Sequence, residues 1–314
     1  MDNSISKIIE AKVGVDVVDL LANKLSGSAL NTLLLEVFRE RTATLTAPDL
    51  LNLYEKNRFT QPAETDYIKL LEKMCDTLKF FSSRGFEVKH LSPLVPLGTC
   101  SAVGMVNQDK VVSSLRGTEV LSDATNALAL EIASTRKKSK SKKEKHRTIK
   151  CCAVQRHVRA QLMNIKGFAP HFTIGCLVTS GRDAGDYTFE KAAIADHILT
   201  LSVVLKNLFN VEDLYVRLLN RKNYVQPDFL TKIASHLNTE APDIAIQTDD
   251  HAKDNNYYQG VQFKIMIRKS GRELEIADGG FVDWTQKLLN DKKERYCISG
   301  FGLELLNRLE EGLM

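Results

Sequence analysis

Apolar side chains recur at helical spacing over the first quarter of the chain. Leu30, Leu33, Leu34, Val37 and Phe38 follow Ser26-Gly27-Ser28, whose hydroxyls can cap a helix and whose glycine marks a break. Thr46-Ala47-Pro48-Asp49 reads as the next start, with a capping hydroxyl, a proline in the first turn and an acid three residues after the cap; that helix ends near Asn57-Arg58. Residues 67–83 form an amphipathic helix with Leu70, Leu71, Met74, Leu78 and Phe81 along one stripe, stopped by Arg84-Gly85. The chain then becomes extended, and Pro93 and Pro96 suit an edge strand. A hairpin is expected around Asn107-Gln108-Asp109. A helix starting near Ser122-Asp123 follows, with Leu128 and Ile132 four apart.

Two strand-like segments, KCCAVQRHVRAQL and APHFTIGCLVTSG, come next and are joined by residues 164–168 with Gly167 at the turn. A long helix is predicted from about Phe189 to Leu208, then more helix and loop. Strands return at Tyr257–Ile267 and Leu274–Ala277, with a turn at Lys269-Ser270-Gly271-Arg272; a helix TQKLLNDKK, a last strand and a terminal helix close the chain. Helices followed by antiparallel hairpins that carry inserted helices point to an α+β fold with an antiparallel or mixed sheet. The expected division is a helical extension over 1–65 and a core over 66–314.

Composition adds limits. The 314 residues are 43% apolar and 26% charged, which excludes collagen-like and disordered chains. No run of about 18 apolar residues stands out, and the start Met1-Asp2-Asn3-Ser4 lacks a signal-peptide pattern, so a cytoplasmic protein without a membrane span is expected. The formal charge of +4 is local: residues 136–147, RKKSKSKKEKHR, carry eight Lys/Arg and one Glu, and +4 less this +7 leaves −3 for the remainder. This basic loop reads as an exposed, mobile insertion; contact with RNA phosphates is the alternative, without sequence reading because it has no Phe, Tyr or Trp to stack on bases. The six cysteines show no zinc spacing, so no metal is expected. Cys151-Cys152, neighbours in a strand, should point to opposite faces as buried free thiols.

Four segments, taken in order, resemble the core of class II aminoacyl-tRNA synthetases, and histidyl-tRNA synthetase in particular. The helix 67–83 with Arg84-Gly85-Phe86-Glu87-Val88 and Pro93 resembles the first class II motif, which builds the family's dimer interface. Ser114-Leu115-Arg116-Gly117-Thr118-Glu119 resembles a rearranged amino-acid-pocket segment. Cys152 to Gly181 resembles the second motif, where Arg156 would grip the α-phosphate and Phe172 would stack on adenine; the family's acid is Val158 here, and in the register of Arg159 it is Gln161. Asp254 to Phe263 contains Tyr257-Tyr258-Gln259-Gly260-Val261-Gln262-Phe263, and Ala277-Asp278-Gly279-Gly280-Phe281-Val282-Asp283 follows; together they resemble the two histidine-specific signatures. Ser299-Gly300-Phe301-Gly302-Leu303-Glu304-Leu305 resembles the third motif, in which Gly300 and Gly302 would let the backbone approach a nucleotide.

The resemblance carries departures. Lys253 stands where the family has a catalytic arginine, Phe281 where Gly-Gly-Arg has its arginine, and Leu305 where the third motif has one. An adenylating site needs oriented positive charge on phosphate, and losing one such donor costs roughly 10²–10³ in rate. The resemblance therefore implies a paralogue that does not aminoacylate, without an anticodon-binding domain. The regulatory subunit of ATP phosphoribosyltransferase uses a similar core in that way. The expected pocket comprises Glu119, Lys253, Tyr257, Tyr258, Gly260, Gly279, Gly280 and Asp283, with one tyrosine of the pair facing in and the other packing outward. The expected assembly is a homodimer that binds a small molecule or a protein partner. The cofactor is unknown; ATP with Mg²⁺ belongs only to the alternative, a divergent ligase that activates an amino acid or other carboxylate.

Overall fold

The computed structural model describes residues 3–162, 169–223, 228–251, 255, 257–269 and 272–312. The chain begins with helices α1 (Asn3–Val13), α2 (Val17–Asp19, running into a π turn), α3 (Gly27–Ala43) and α4 (Ala47–Lys56). Local caps set their starts: Ser26 Oγ accepts the Ala29 amide at 3.2 Å, and the Thr46 amide donates to Asp49 Oδ2 at 3.0 Å in a capping box. None of α2, α3 and α4 has a buried side chain, so these helices rest on caps and propensity rather than on packing. Contact with the core comes just after them. Arg58 donates to the Ala160 carbonyl, His171 Nε2 meets the Gln61 carbonyl at 2.7 Å, and Asn307 Nδ2 donates to Thr65 Oγ1 at 3.1 Å.

Helix α5 (Tyr67–Ser83) starts on the Asp66 carboxylate. Its buried stripe is Leu70, Thr77 and Phe81, with Met74 and Leu78 partly covered; Leu71 lies 41% exposed, outside the stripe expected of it. Strands β1 (Glu87–Val88), β2 (Leu94–Pro96) and β3 (Thr118–Val120) follow, and β2 pairs with β3. The expected hairpin at 107–109 is therefore a 3₁₀ turn, Gln108–Lys110, inside a longer excursion. Helix α6 (Ala124–Lys138) and the short α7 (Lys142–His146) lead to β4 (Ile149–Val158) and β5 (His171–Arg182), antiparallel partners over ten positions. The turn expected at Gly167 lies outside the described residues.

Helix α8 (Thr188–Phe209), strand β6 (Leu214–Asn220), helix α9 (Phe229–Glu240) and strand β7 (Ala245–Asp249) come next. Strands β8 (Gln259–Lys269) and β9 (Arg272–Phe281), helix α10 (Trp284–Leu289), strand β10 (Glu294–Phe301) and helix α11 (Leu303–Glu310) complete the order. The main sheet runs β1-β4-β5-β10-β9-β8-β6-β7; the β1/β4 and β6/β7 pairs are parallel and the rest antiparallel. The fold is mixed α+β. Strand β6 replaces expected helix and loop: Tyr215, Val216, Leu218 and Leu219 are all buried, and such a doubly covered run has no alternation to betray it.

The sheet buries both faces. Cys152, Leu177, Val216 and Phe263 pack on one side with α5, α8, α9 and α11; Cys151, Cys176, Val178 and Ile298 pack on the other with Leu128 and Ile132 of α6 and with Trp284. Cys151 and Cys152 thus separate to opposite faces as strand pleating requires. Helix α8 is long and apolar enough to cross a membrane, although no such span was expected, yet Ile194, Ile198, Leu201, Val204 and Leu205 are 0% exposed against the sheet.

The basic segment is largely exposed as expected, but part of it is helix rather than loop. Arg136 to Lys138 end α6, Lys142–His146 form α7, and Arg136 is buried at 3% exposure. Its Nε lies 3.2 Å from Glu294 Oε2, Nη2 donates to Ser180 Oγ at 3.0 Å, and Nη1 donates to the Lys145 carbonyl.

Candidate functional site

A cavity of about 600 Å³ opens between the N-terminus of α6, strands β4, β5, β9 and β10, and the 255–258 segment. Asp123 is the N-cap of α6 because its Oδ1 accepts the Thr125 amide at 2.8 Å and the Thr125 hydroxyl at 2.6 Å. Its other oxygen accepts the Tyr257 hydroxyl at 2.8 Å. Across the cavity wall Asp278 Oδ2 accepts the Tyr258 hydroxyl at 3.0 Å and Gln262 Nε2 at 3.3 Å. Arg221 donates twice to Gln262 Oε1, at 3.0 and 2.6 Å, which turns the Gln262 amide N–H toward Asp278.

Both tyrosines line the cavity, their rings 4.8 Å apart at 75°. The expected in-and-out alternation fails because neither residue is in the strand: β8 begins at Gln259, and Asn255 Oδ1 accepts the amides of Tyr257 and Tyr258 at 3.1 and 3.2 Å.

Burial dominates the electrostatics. It raises both phenols well above their ordinary value and pushes the Asp278 carboxyl up to about 6. It also drives His157 down to about 4; the ring is neutral, its Nε2 accepting the Ala124 amide at 2.9 Å. Glu275, Lys110 and Arg159 supply further charge to the wall. Arg159 Nε donates to the Ser122 carbonyl at 3.0 Å, and its guanidinium sits 5.4 Å over the Phe172 ring.

The expected residues divide. Tyr257, Tyr258, Gly300 and Gly302 line the cavity, as does Leu305. Glu119 does not: it is 0% exposed and accepts the Gly98 amide at 2.8 Å, the Cys100 amide at 2.9 Å and Gln108 Nε2 at 2.9 Å, bracing the 98–108 loop from beneath. Burial opposes its ionisation, but Gln108 and the two amides outweigh that and hold the carboxyl below its ordinary range. Gly260 sits in a β-bulge at φ +66°, exchanging backbone bonds with Arg221 and Lys222, and is not in the wall.

Gly279 also serves packing, since a Cβ there would lie 2.5 Å from the Ile298 carbonyl oxygen and 2.6 Å from the Phe263 ring. Gly280 shapes the cavity indirectly, because a Cβ there would stand 2.8 Å from the Tyr258 ring. Asp283 opens α10 and pairs with Lys287 at 2.9 Å, away from the wall. Arg156 is not in the wall either: Nη1 lies 3.2 Å from Glu304 Oε2 and Nε donates to His171 Nδ1 at 3.1 Å. Phe172 stacks on His157 with centroids 6.4 Å apart. Lys253 lies outside the described residues.

Asp123, Asp278 and Arg159 were missed as pocket residues. Asp123 read only as a helix start, and Asp278 only as the residue before Gly279-Gly280. The available signal was that an N-cap acid one turn from a cavity presents its second oxygen to it. Among the described residues no group of three His, Cys, Asp or Glu side chains is placed to hold a metal ion.

No protein-family model matches the sequence, and no curated protein is similar to it. Solved structures share the fold. The ATP phosphoribosyltransferase regulatory subunit/histidyl-tRNA synthetase from Bacillus halodurans aligns with a TM-score of 0.60 at 13% identity, over 80% of this chain and 82% of that one. Apo histidyl-tRNA synthetase from S. aureus gives 0.61 at 12% identity, over 82% of this chain and 71% of that one. Histidyl-tRNA synthetase from Nostoc gives 0.58 at 15% identity, over 82% and 75%. The architecture is that of the class II aminoacyl-tRNA synthetase core.

Proposed function

We propose that this chain is a cytoplasmic, histidyl-tRNA-synthetase-like paralogue that does not aminoacylate and that binds a small polar ligand bearing an amine. The observation that carries the reading is the cavity wall itself. Asp123 and Asp278, each holding a tyrosine hydroxyl, supply two carboxylates suited to a cationic amine, whereas Leu305 gives the nucleotide end an apolar side chain. Phosphate wants an oriented, permanently charged donor, and Arg156 spends its guanidinium on Glu304 and His171. Those residues do not fit a triphosphate.

A homodimer is part of the proposal. Tyr67, Ile68 and Leu71 on α5 and Val88, Leu94 and Leu97 beyond it are exposed large apolar side chains on the segment that resembles the family's dimer element. A second reading, a divergent ATP-dependent ligase, is favoured by one observation: Arg159 and Lys110 also line the cavity, beside Gly300 and Gly302.

Thermal-shift titration with the common amino acids and simple amines, with and without ATP-Mg²⁺, followed by pyrophosphate exchange, tests both. Stabilisation by an amine without exchange supports the binding protein. Exchange above background with any amino acid overturns it in favour of the ligase.

A further inference from the structure

The basic segment carries a surface that the cavity does not use. Lys137, Lys138, Lys140, Lys143, Lys145 and Arg147 are all exposed, and among the described residues none of them has a carboxylate partner. One acid, Glu144, lies among them. What turns these charges into a built surface is the buried cation beneath. Arg136, paired with Glu294 and bonded to Ser180 and to the Lys145 carbonyl, ties the start of the run to its end, so the lysines are displayed from α6 and α7 rather than from a free loop.

The acids under this surface are already neutralised. Glu294 meets Arg136 and Arg182, and the Asp291 carboxyl is held below its ordinary range by the Lys293 amide, by Arg182 and by nearby His146. A net positive field therefore faces solvent. Residues 137–148 hold no apolar side chain and no Phe, Tyr or Trp, so the segment has no apolar anchor for a lipid headgroup layer and no large ring for base stacking.

We infer that the α6–α7 surface binds the phosphodiester backbone of single-stranded RNA without reading its sequence. The end of α6 and the five-residue α7, separated by Ser139 to Ser141, suit a strand that can follow them. A stiff duplex, with a persistence length of about 150 bp for DNA, would meet fewer of the charges. Each cation engaged on a single strand releases counterions and contributes about −0.7 to the slope of log K against log salt, so six give a slope of roughly −4.

The test is fluorescence anisotropy with a labelled 20-nucleotide single-stranded RNA on the full chain, from low to moderate salt. The K137A/K138A/K143A/K145A variant changes only exposed side chains and should keep its unfolding midpoint. Binding with a slope near −4, weakened at least tenfold in that variant with a slope reduced by roughly 3, supports the inference. It is overturned by no binding at low salt, by binding that the variant retains, or by duplex DNA or phosphatidylglycerol vesicles binding as tightly as the RNA.

Discussion

The Tyr258 hydroxyl donates to Asp278 Oδ2 at 3.0 Å in a wall whose burial pushes that carboxyl from its ordinary value up to about 6. A carboxyl raised in the folded state favours folding fully below its unfolded pKa, near 4, and that contribution is lost as pH rises through about 6. At about 1.4 kcal/mol per unit, the loss across this window is on the order of 3 kcal/mol. Asp278→Asn should therefore stabilise the protein above pH 6, change little below pH 4, and flatten the profile between. Urea unfolding at pH 4, 5, 6 and 7.5 checks this; equal effects at every pH would contradict it.

The same ionisation should govern ligand capture. An amine that pairs with Asp278 binds more tightly as pH rises toward and past about 6, by up to roughly tenfold per unit below the pKa. Calorimetry on a stabilising amine, repeated with Asp278→Asn, should show the pH dependence disappear in the variant.

Tyr257→Phe removes the hydroxyl that meets Asp123 at 2.8 Å. Loss of a hydrogen bond to this half-buried carboxylate costs roughly 1–3 kcal/mol. A lowered urea midpoint with an unchanged m-value is expected. No change in stability would show that water replaces the phenol there.

Gly280→Ala places a methyl 2.7 Å from the Val261 carbonyl oxygen and 2.8 Å from the Tyr258 ring. Backbone cannot yield easily, so the overpacking should cost roughly 1–3 kcal/mol and displace Tyr258, weakening any ligand of the cavity. Denaturant unfolding and a ligand titration, run together, separate the two effects.

Arg136 and Glu294 form a buried pair at 3.2 Å, with side chains 3% and 2% exposed. Removing Glu294 strands the Arg136 guanidinium, and removing Arg136 leaves Glu294 with Arg182 alone; breaking such a buried pair costs up to roughly 3–5 kcal/mol. Arg136→Met should be strongly destabilising, and adding Glu294→Gln should recover part of the loss. Thermal unfolding of the three proteins gives the coupling directly; strict additivity would show that the pair contributes nothing as a pair.

What the sequence determined alone is what depends on neighbours within one turn or one pleat. Thr46, Asp66 and Asp123 start α4, α5 and α6 because a capping side chain reaches amides two or three residues on, and Cys151 and Cys152 part to opposite faces because a strand alternates. The order of segments resembling a class II core was legible for the same reason. Tertiary structure decided what depends on distant partners. Strand β6 is a strand because β8 and β7 flank it, and its apolar residues on either side of Arg217 carry no alternation to say so. Tyr257 and Tyr258 both face inward because Asn255 Oδ1 holds their two amides before the strand begins. Glu119 braces a loop and Asp123 faces the cavity because amides of residues 98 and 100 consume the first carboxylate, while a tyrosine 134 residues away meets the second. Within a run of eight like charges, only the fold could choose Arg136 for burial, since the carboxylate that makes its desolvation tolerable stands at Glu294, on a strand that the sequence brings in at the far end of the chain.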